Sequence, residues 1–185
     1  NKALDNSGAI NISSGGSSSF GGTGSILNET LGTIVATGTI DIAPAISNYG
    51  TFSVVANNGE NGDVLFENTF TNYGTLVVDD LDVTQLSSTL TFLNADLLND
   101  GVVSFDDFSG DGGSRTLALQ GFSSISNPGT INVKSPTTID LAALSTFDIQ
   151  GGNVDIAAGE TLTILGVTET NSSTTTTSAV IVDEG

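Results

Sequence analysis

The pattern Asn-x-Gly-x-φ-x-φ, where φ is apolar, returns along this chain at nearly constant spacing, and few folds accommodate such a repeat. Its copies are Asn48-Tyr-Gly50-Thr-Phe-Ser-Val54, Asn72-Tyr-Gly74-Thr-Leu-Val-Val78, Asn99-Asp-Gly101-Val-Val-Ser-Phe105 and Asn127-Pro-Gly129-Thr-Ile-Asn-Val133. Asn6-Ser-Gly8-Ala-Ile-Asn-Ile12 is an earlier full match, and Gln150-Gly-Gly152-Asn-Val-Asp-Ile156 is a last copy with Gln in place of Asn. From Gly50 to Gly152 the glycines are about 24, 27, 28 and 23 residues apart, within the range of solenoid coils. The φ residues alternate with polar ones, the period of a strand with one buried face. The glycine suits a tight corner with a positive φ angle.

A second alternating run keeps the same phase. It appears as Thr39-Ile-Asp-Ile42, Asp63-Val-Leu-Phe66, Thr89-Leu-Thr-Phe92, Thr116-Leu-Ala-Leu119, Thr138-Ile-Asp-Leu141 and Thr161-Leu-Thr-Ile164. A spacer of roughly seven residues separates it from the next Asn-x-Gly corner, as between Leu119 and Asn127. One unit cannot bury its own apolar face, so stacked units must bury it jointly. An antiparallel β-sandwich is the competing reading, but it has no need to repeat one corner at fixed phase. The sequence therefore predicts an all-β solenoid of about 5–6 coils of about 22–28 residues. At about 4.8 Å per stacked strand its body is on the order of 25–30 Å long. Phe52, Leu76, Val103, Ile131 and Val154 should stack in the core, and Asn48, Asn72, Asn99 and Asn127 should form an amide ladder.

Three regions follow. Residues 1–36 hold the first strand, a Gly/Ser stretch at 13–25 that reads as a linker, and an irregular cap from Ser25 to Ala36. Residues 37–166 are the solenoid. Residues 167–185 are a Ser/Thr-rich linker ending in the apolar tetrad Ala179, Val180, Ile181 and Val182. That tetrad either folds back on its own rod or docks on a neighbouring subunit by strand addition, and it is the candidate assembly element. The chain begins at Asn1 without Met, as expected of a processed form or a fragment.

Composition narrows the function. Three Lys and Arg against 21 Asp and Glu give a net charge of −18. Nucleic-acid binding needs a patch of cations that Lys2, Arg115 and Lys134 do not make. No apolar run approaches the roughly 18 residues of a membrane span, so no membrane insertion is expected. With no Cys and no His, disulfides, thiol chemistry and the commonest general base are absent. Abundant Gly, Ser, Thr and Asn with few cations resembles bacterial or archaeal surface proteins.

The acids are the candidate chemical site. Asp79 and Asp80 sit five and six residues after Gly74, and Asp106 and Asp107 likewise after Gly101. In register, Asp106 lies beside Asp79 and Asp107 beside Asp80. Stacked carboxylates repel, so solvent, splay, a raised pKa or a cation must relieve them. With Asp82 and Asp111 near, Ca²⁺ is the cation such oxygens suit; solvated loop acids are the alternative, and no cofactor is required. Acid pairs on adjacent coils could also serve polysaccharide hydrolysis, though the chain offers few aromatics and one Arg. Asn11, Asn28 and Asn171 head the sequons Asn11-Ile-Ser13, Asn28-Glu-Thr30 and Asn171-Ser-Ser173 and are glycosylation candidates.

Over residues 37–166 the pattern resembles the right-handed parallel β-helix of secreted bacterial proteins, nearest to autotransporter passenger domains and filamentous-haemagglutinin-like adhesins. That resemblance implies a single-stranded right-handed β-helix displayed outside the cell, with adhesion or self-association as its work. The expectation is a secreted, non-enzymatic structural or adhesive protein, a subunit of a surface filament joined head to tail. Its partners would be copies of itself and cell-surface glycans. The alternatives are a polysaccharide-active enzyme using the stacked aspartates and a spacer within a longer adhesin.

Overall fold

The computed structural model describes residues 3–57, 59–81, 86–108, 110 and 112–166, together with the strands at 169–171, 174–176 and 179–182. It is an all-β parallel solenoid of about six turns. The first face is a parallel sheet in which β1 (Leu4–Asn6), β3 (Ser25–Asn28), β5 (Ala45–Asn48), β8 (Phe70–Asn72), β11 (Asp96–Asn99), β14 (Ser124–Ser126) and β17 (Thr146–Asp148) follow one another. Two long strands, β2 (Ala9–Phe20) and β4 (Thr33–Ile42), begin both other faces. The first half of β4 pairs with β6 (Thr51–Ala56) and its second half with β7 (Gly62–Phe66). The second face continues through β9 (Thr75–Asp80), β12 (Val102–Phe105), β15 (Thr130–Val133) and β18 (Asn153–Ile156). The third continues through β10 (Ser88–Leu93), β13 (Arg115–Gln120), β16 (Thr137–Leu141) and β19 (Thr161–Gly166).

Each φ position stacks on its counterpart in the next coil. Phe52, Leu76, Val103, Ile131 and Val154 are register partners in turn. All are buried except Val154, which is half-buried in the last of these strands. The stretch expected as a spacer carries the first-face strands, whose Ile46, Phe70, Leu97, Ile125 and Phe147 complete the core. Phe52, Phe66 and Phe70, one from each face, meet edge to face with ring centroids 5.0–5.6 Å apart, a favoured aromatic geometry.

At the first corner, six asparagines form one buried amide ladder. The Nδ2 of Asn6, Asn28, Asn48, Asn72 and Asn99 donates to the Oδ1 of the next asparagine, ending at Asn127, over 2.5–2.8 Å. The same Nδ2 groups also donate to the carbonyls of Thr33, Thr51, Thr75, Val102 and Thr130. Side chains thus satisfy amides that would otherwise be buried unpaired. The ladder stops at Asn127. Ser126 pairs with Asp148 but Thr130 pairs with Asn153, so the last corner is one residue longer. Ile149, not Gln150, stands opposite Asn127; Gln150 is exposed with φ 46°.

The reason expected for the corner glycines needs correction. Gly50, Gly74, Gly101 and Gly129 are not among the positive-φ residues. They are glycine because of the coil before. A Cβ on Gly74 would collide with the Gly50 carbonyl oxygen and lie 2.7 Å from the Tyr49 carbonyl carbon, and Gly101 meets Gly74 and Tyr73 in the same way. Gly8, in the first coil, has nothing within 4 Å of that position.

The N-terminal region also differs from expectation. Residues 13–20 are not linker but the second half of β2, paired to β4 across an irregularity between Ser13 and Ser17. Repeated Ser and Gly there hide a strand in which Ser14 is buried and donates to the Thr39 carbonyl while the other serines are exposed. Ser25–Ala36 belongs to the stack through β3 and β4 and is not a cap, and the boundary expected at 36/37 falls inside β4. At the other end, β20 (Glu169–Asn171) pairs with β17 and with β21 (Thr174–Thr176). The tetrad Ala179–Val182 forms β22, antiparallel to β19 of the same chain.

The steric argument separates two alanine substitutions. Gly74→Ala should lower unfolding free energy by about 3 kcal/mol through overpacking, whereas Gly8→Ala should change it by less than about 0.5 kcal/mol. Asn72→Ala should cost about 2 kcal/mol, because the buried Asn99 amide loses an upstream partner. Urea unfolding followed by far-ultraviolet circular dichroism measures all three.

Candidate functional site

The acidic residues lie where the second face turns into the third. β9 carries Asp79 and Asp80 in register with Val55 and Ala56 of β6, and both are buried. β12 ends at Phe105. The Asp106 N–H still reaches the Val78 carbonyl at 2.9 Å, which sets the Asp106 backbone beside Asp79 as the spacing predicts. Beyond Asp106 the chain leaves the ladder, so Asp107 does not continue it beside Asp80.

The carboxylates of Asp79, Asp106 and Asp107 each have work within the scaffold. Asp79 Oδ1 accepts from its neighbour's N–H, that of Asp80, at 2.7 Å and from the Phe108 N–H at 3.0 Å. Asp107 closes its own loop by accepting from the N–H groups of Gly110 and Gly112 at 2.9 and 3.0 Å. Asp106 accepts from the Ser104 hydroxyl at 2.7 Å and pairs with Lys134 Nζ at 3.1 Å. Repulsion among these acids is eased by cations of the protein itself.

The residue that sequence reasoning missed is Arg115. It is fully buried at the start of β13. Its register partners there, Ser88 and Thr137, are smaller. Its Nε donates to the Asp106 carbonyl at 2.6 Å, Nη1 to the Ser114 carbonyl at 3.2 Å, and Nη2 lies 3.4 Å from Asp107 Oδ1. Nη1 and Asp80 Oδ2 each lie 3.0 Å from where a Cβ on Gly113 would stand. The signal was in the alternation: Arg115 is in phase with the inward Leu117 and Leu119. Arg115 and Lys134 are two of the three basic residues in the chain.

Asp79, Asp106 and Asp107, with Phe108 and Lys134, line a shallow pocket of about 260 Å³. Among the described residues no group of three or more acidic side chains is arranged to hold a metal ion; Asp82 and Asp111 lie outside the described residues. The pocket holds one ammonium group, that of Lys134, among its carboxylates.

The sequon asparagines have different fates. Asn11 is exposed on β2. Asn28 is a correction: it is fully buried and holds the second rung of the ladder, so it cannot carry a glycan in this fold. Its copy escaped notice because Glu29-Thr-Leu31 separates it from Gly32, where the other corners have a single residue. The side chain of Asn171 lies outside the described residues. Sequence reasoning also passed over Tyr49 and Tyr73, whose rings stack outside the first corner with centroids 4.7 Å apart and planes 15° from parallel.

The chain matches no protein-family model, no curated protein and no solved structure. Among the described residues no helix is long and apolar enough to cross a membrane.

The buried guanidinium gives a test. Arg115→Met should destabilise the fold by about 3–5 kcal/mol, since it leaves a nearly buried carboxylate without its counter-charge. Lys134→Ala, at a side chain 55% exposed, should cost under about 1 kcal/mol. Thermal unfolding of the two variants distinguishes a structural clasp from a surface ion pair.

Proposed function

We propose that the chain is an extracellular structural and adhesive rod, a subunit of a cell-surface filament joined head to tail. The carrying observation is that the parallel stack does not close on itself. Among the described residues, β18 pairs with β15 alone, β1 with β3 alone and β2 with β4 alone. Asn153 and Ala157 direct their N–H groups to the Gly129 and Val133 carbonyls. Val154 and Ile156, out of phase with them, therefore turn their N–H groups to the free side. An edge of this kind is a template for another strand. Contacts between unlike ends that do not close into a ring make fibres.

The tail supplies the joint in this reading. β22 covers the β19 edge of its own chain, and the same antiparallel pairing made to a neighbour exchanges the strand between subunits. The likeness to autotransporter and filamentous-haemagglutinin-like adhesins supports surface display and adhesion to glycans. A spacer within a longer adhesin is the second reading, favoured by the same open β18 edge, onto which a further coil would stack. The enzymatic alternative has less support, because Asp79, Asp106 and Asp107 are all engaged in holding the corner.

Negative-stain electron microscopy and sedimentation velocity test the proposal. The intact chain should form filaments that lengthen with concentration, and a chain lacking residues 178–185 should stay monomeric. Monodisperse particles of the intact chain at every concentration would overturn the filament. Filaments that persist after the deletion would overturn the role of the tail.

A further inference from the structure

Besides the longer last copy, the first corner departs from its pattern at one early coil. Tyr49 and Tyr73 occupy equivalent positions after ladder asparagines, and their rings stack. One coil earlier the equivalent position is Glu29, followed by the additional Thr30 and Leu31 before Gly32. The Glu29 N–H bonds to Asn6 as the Tyr49 N–H bonds to Asn28, each to the carbonyl, so the ladder passes through the insertion undisturbed. The aromatic stack does not. Where a third ring would lie there is an open groove of about 600 Å³, lined by Ser7, Leu27, Glu29, Thr30, Leu31 and Tyr49.

The groove lies on the side of Tyr49 away from Tyr73, since its other walls all come from the two earlier coils. Stacking on Tyr73 holds the Tyr49 ring in place, so this outer ring face is preorganised for a ligand. Leu31 is 85% exposed, an apolar side chain left uncovered among the described residues. The apolar part of the lining is Tyr49 with Leu27 and Leu31, and the polar part is Ser7, Thr30 and Glu29.

We propose that this groove is a binding site for a neutral pyranose residue of a glycan. A pyranose has one broad face of C–H groups, which suits an aromatic plane, and a girdle of hydroxyls that can donate to Glu29 and exchange hydrogen bonds with Ser7 and Thr30. An apolar floor with a few placed polar groups is the usual make-up of a small-ligand site. Glu29 and the net charge of −18 disfavour acidic sugars. A quaternary ammonium would want several rings around it, and this open groove offers one ring face. The proposal rests on the adhesive half of the proposed function and names its ligand class. It does not depend on polymerisation, so a monomeric chain still tests it.

Tyr49 and Tyr73 are the only tyrosines and there is no Trp, so tyrosine emission reports on this corner alone. The intact chain is titrated with neutral tetrasaccharides of glucose, galactose, mannose and N-acetylglucosamine. A galacturonic acid tetrasaccharide and tetramethylammonium serve as comparison ligands. Calorimetry provides a second readout for variants that lose a fluorophore. The expected result is saturable binding of at least one neutral sugar. It should weaken about tenfold or more in Tyr49→Ala and several-fold in Glu29→Gln, and be unchanged in Phe122→Ser, remote from the groove. Circular dichroism verifies that each variant is folded. Three results would overturn the proposal: no saturable response to any neutral sugar, stronger binding of the acid or the ammonium ion, or folded Tyr49→Ala binding as the parent does.

Discussion

Contact between successive coils at the Asn-x-Gly corner is the constraint from which the other features of this rod follow. Stacked backbones sit at strand spacing, and at the corner the chain turns without leaving the stack. That turn would strand polar groups inside, and the asparagine amide supplies both a donor and an acceptor to join one coil to the next. Each Nδ2 holds a carbonyl of the next coil as well as the next amide, so the corner is fixed in register and not only in spacing. The same closeness leaves no room for a Cβ beneath it. Asparagine and glycine therefore answer to one condition, and a one-residue slip would break both.

Among the described residues the other two corners carry no such ladder, and their lengths vary. Two of the longest connections, residues 81–87 and 106–114, occur on adjacent coils at the second corner. Arg115 gathers them from beneath through the carbonyls of Asp106 and Leu86 and the carboxylate of Asp107. A single buried guanidinium, with several donors in a fixed plane, does for two irregular loops what an amide per coil does at the first corner. It also accounts for the placing of cations in so acidic a chain: Arg115 and Lys134 stand where aspartates crowd.

The architecture was legible because its causes repeat. Five asparagines and a glutamine at one phase, with two alternating runs in step with them, admit little besides stacked coils. Three things were not legible. The first-face strands are only three or four residues long and present one or two inward side chains each, too few to establish a period, although an apolar residue two before each ladder asparagine marks them. Ser13–Ser19 has no apolar alternation to read, since it consists of Ser and Gly alone. Asn28 was misread as a sequon because three residues stand where one was expected before Gly32. The acidic corner was found from spacing, but its organiser was not, because one arginine in an inward phase has no second copy to draw attention to it.

Where a repeat is enforced coil by coil, its departures are informative. At most first corners one residue stands between asparagine and glycine, with the side chain pointing outward: Ser7, Tyr49, Tyr73, Asp100 and Pro128. The backbone there is fixed from both sides, so variation is confined to what that side chain presents. A two-residue insertion at Glu29–Leu31 needs the ladder to hold above and below it, and the amides of Asn6, Asn28 and Asn48 remain joined. The scaffold thus tolerates an irregular, apolar and exposed bulge beside its most rigid element, with the Tyr49 plane as one wall. A leucine 85% exposed at such a position contributes nothing to the packing of the coils. Leu31 and the Tyr49 ring line the same groove, so the variation that the fixed ladder permits is gathered at one place on the surface.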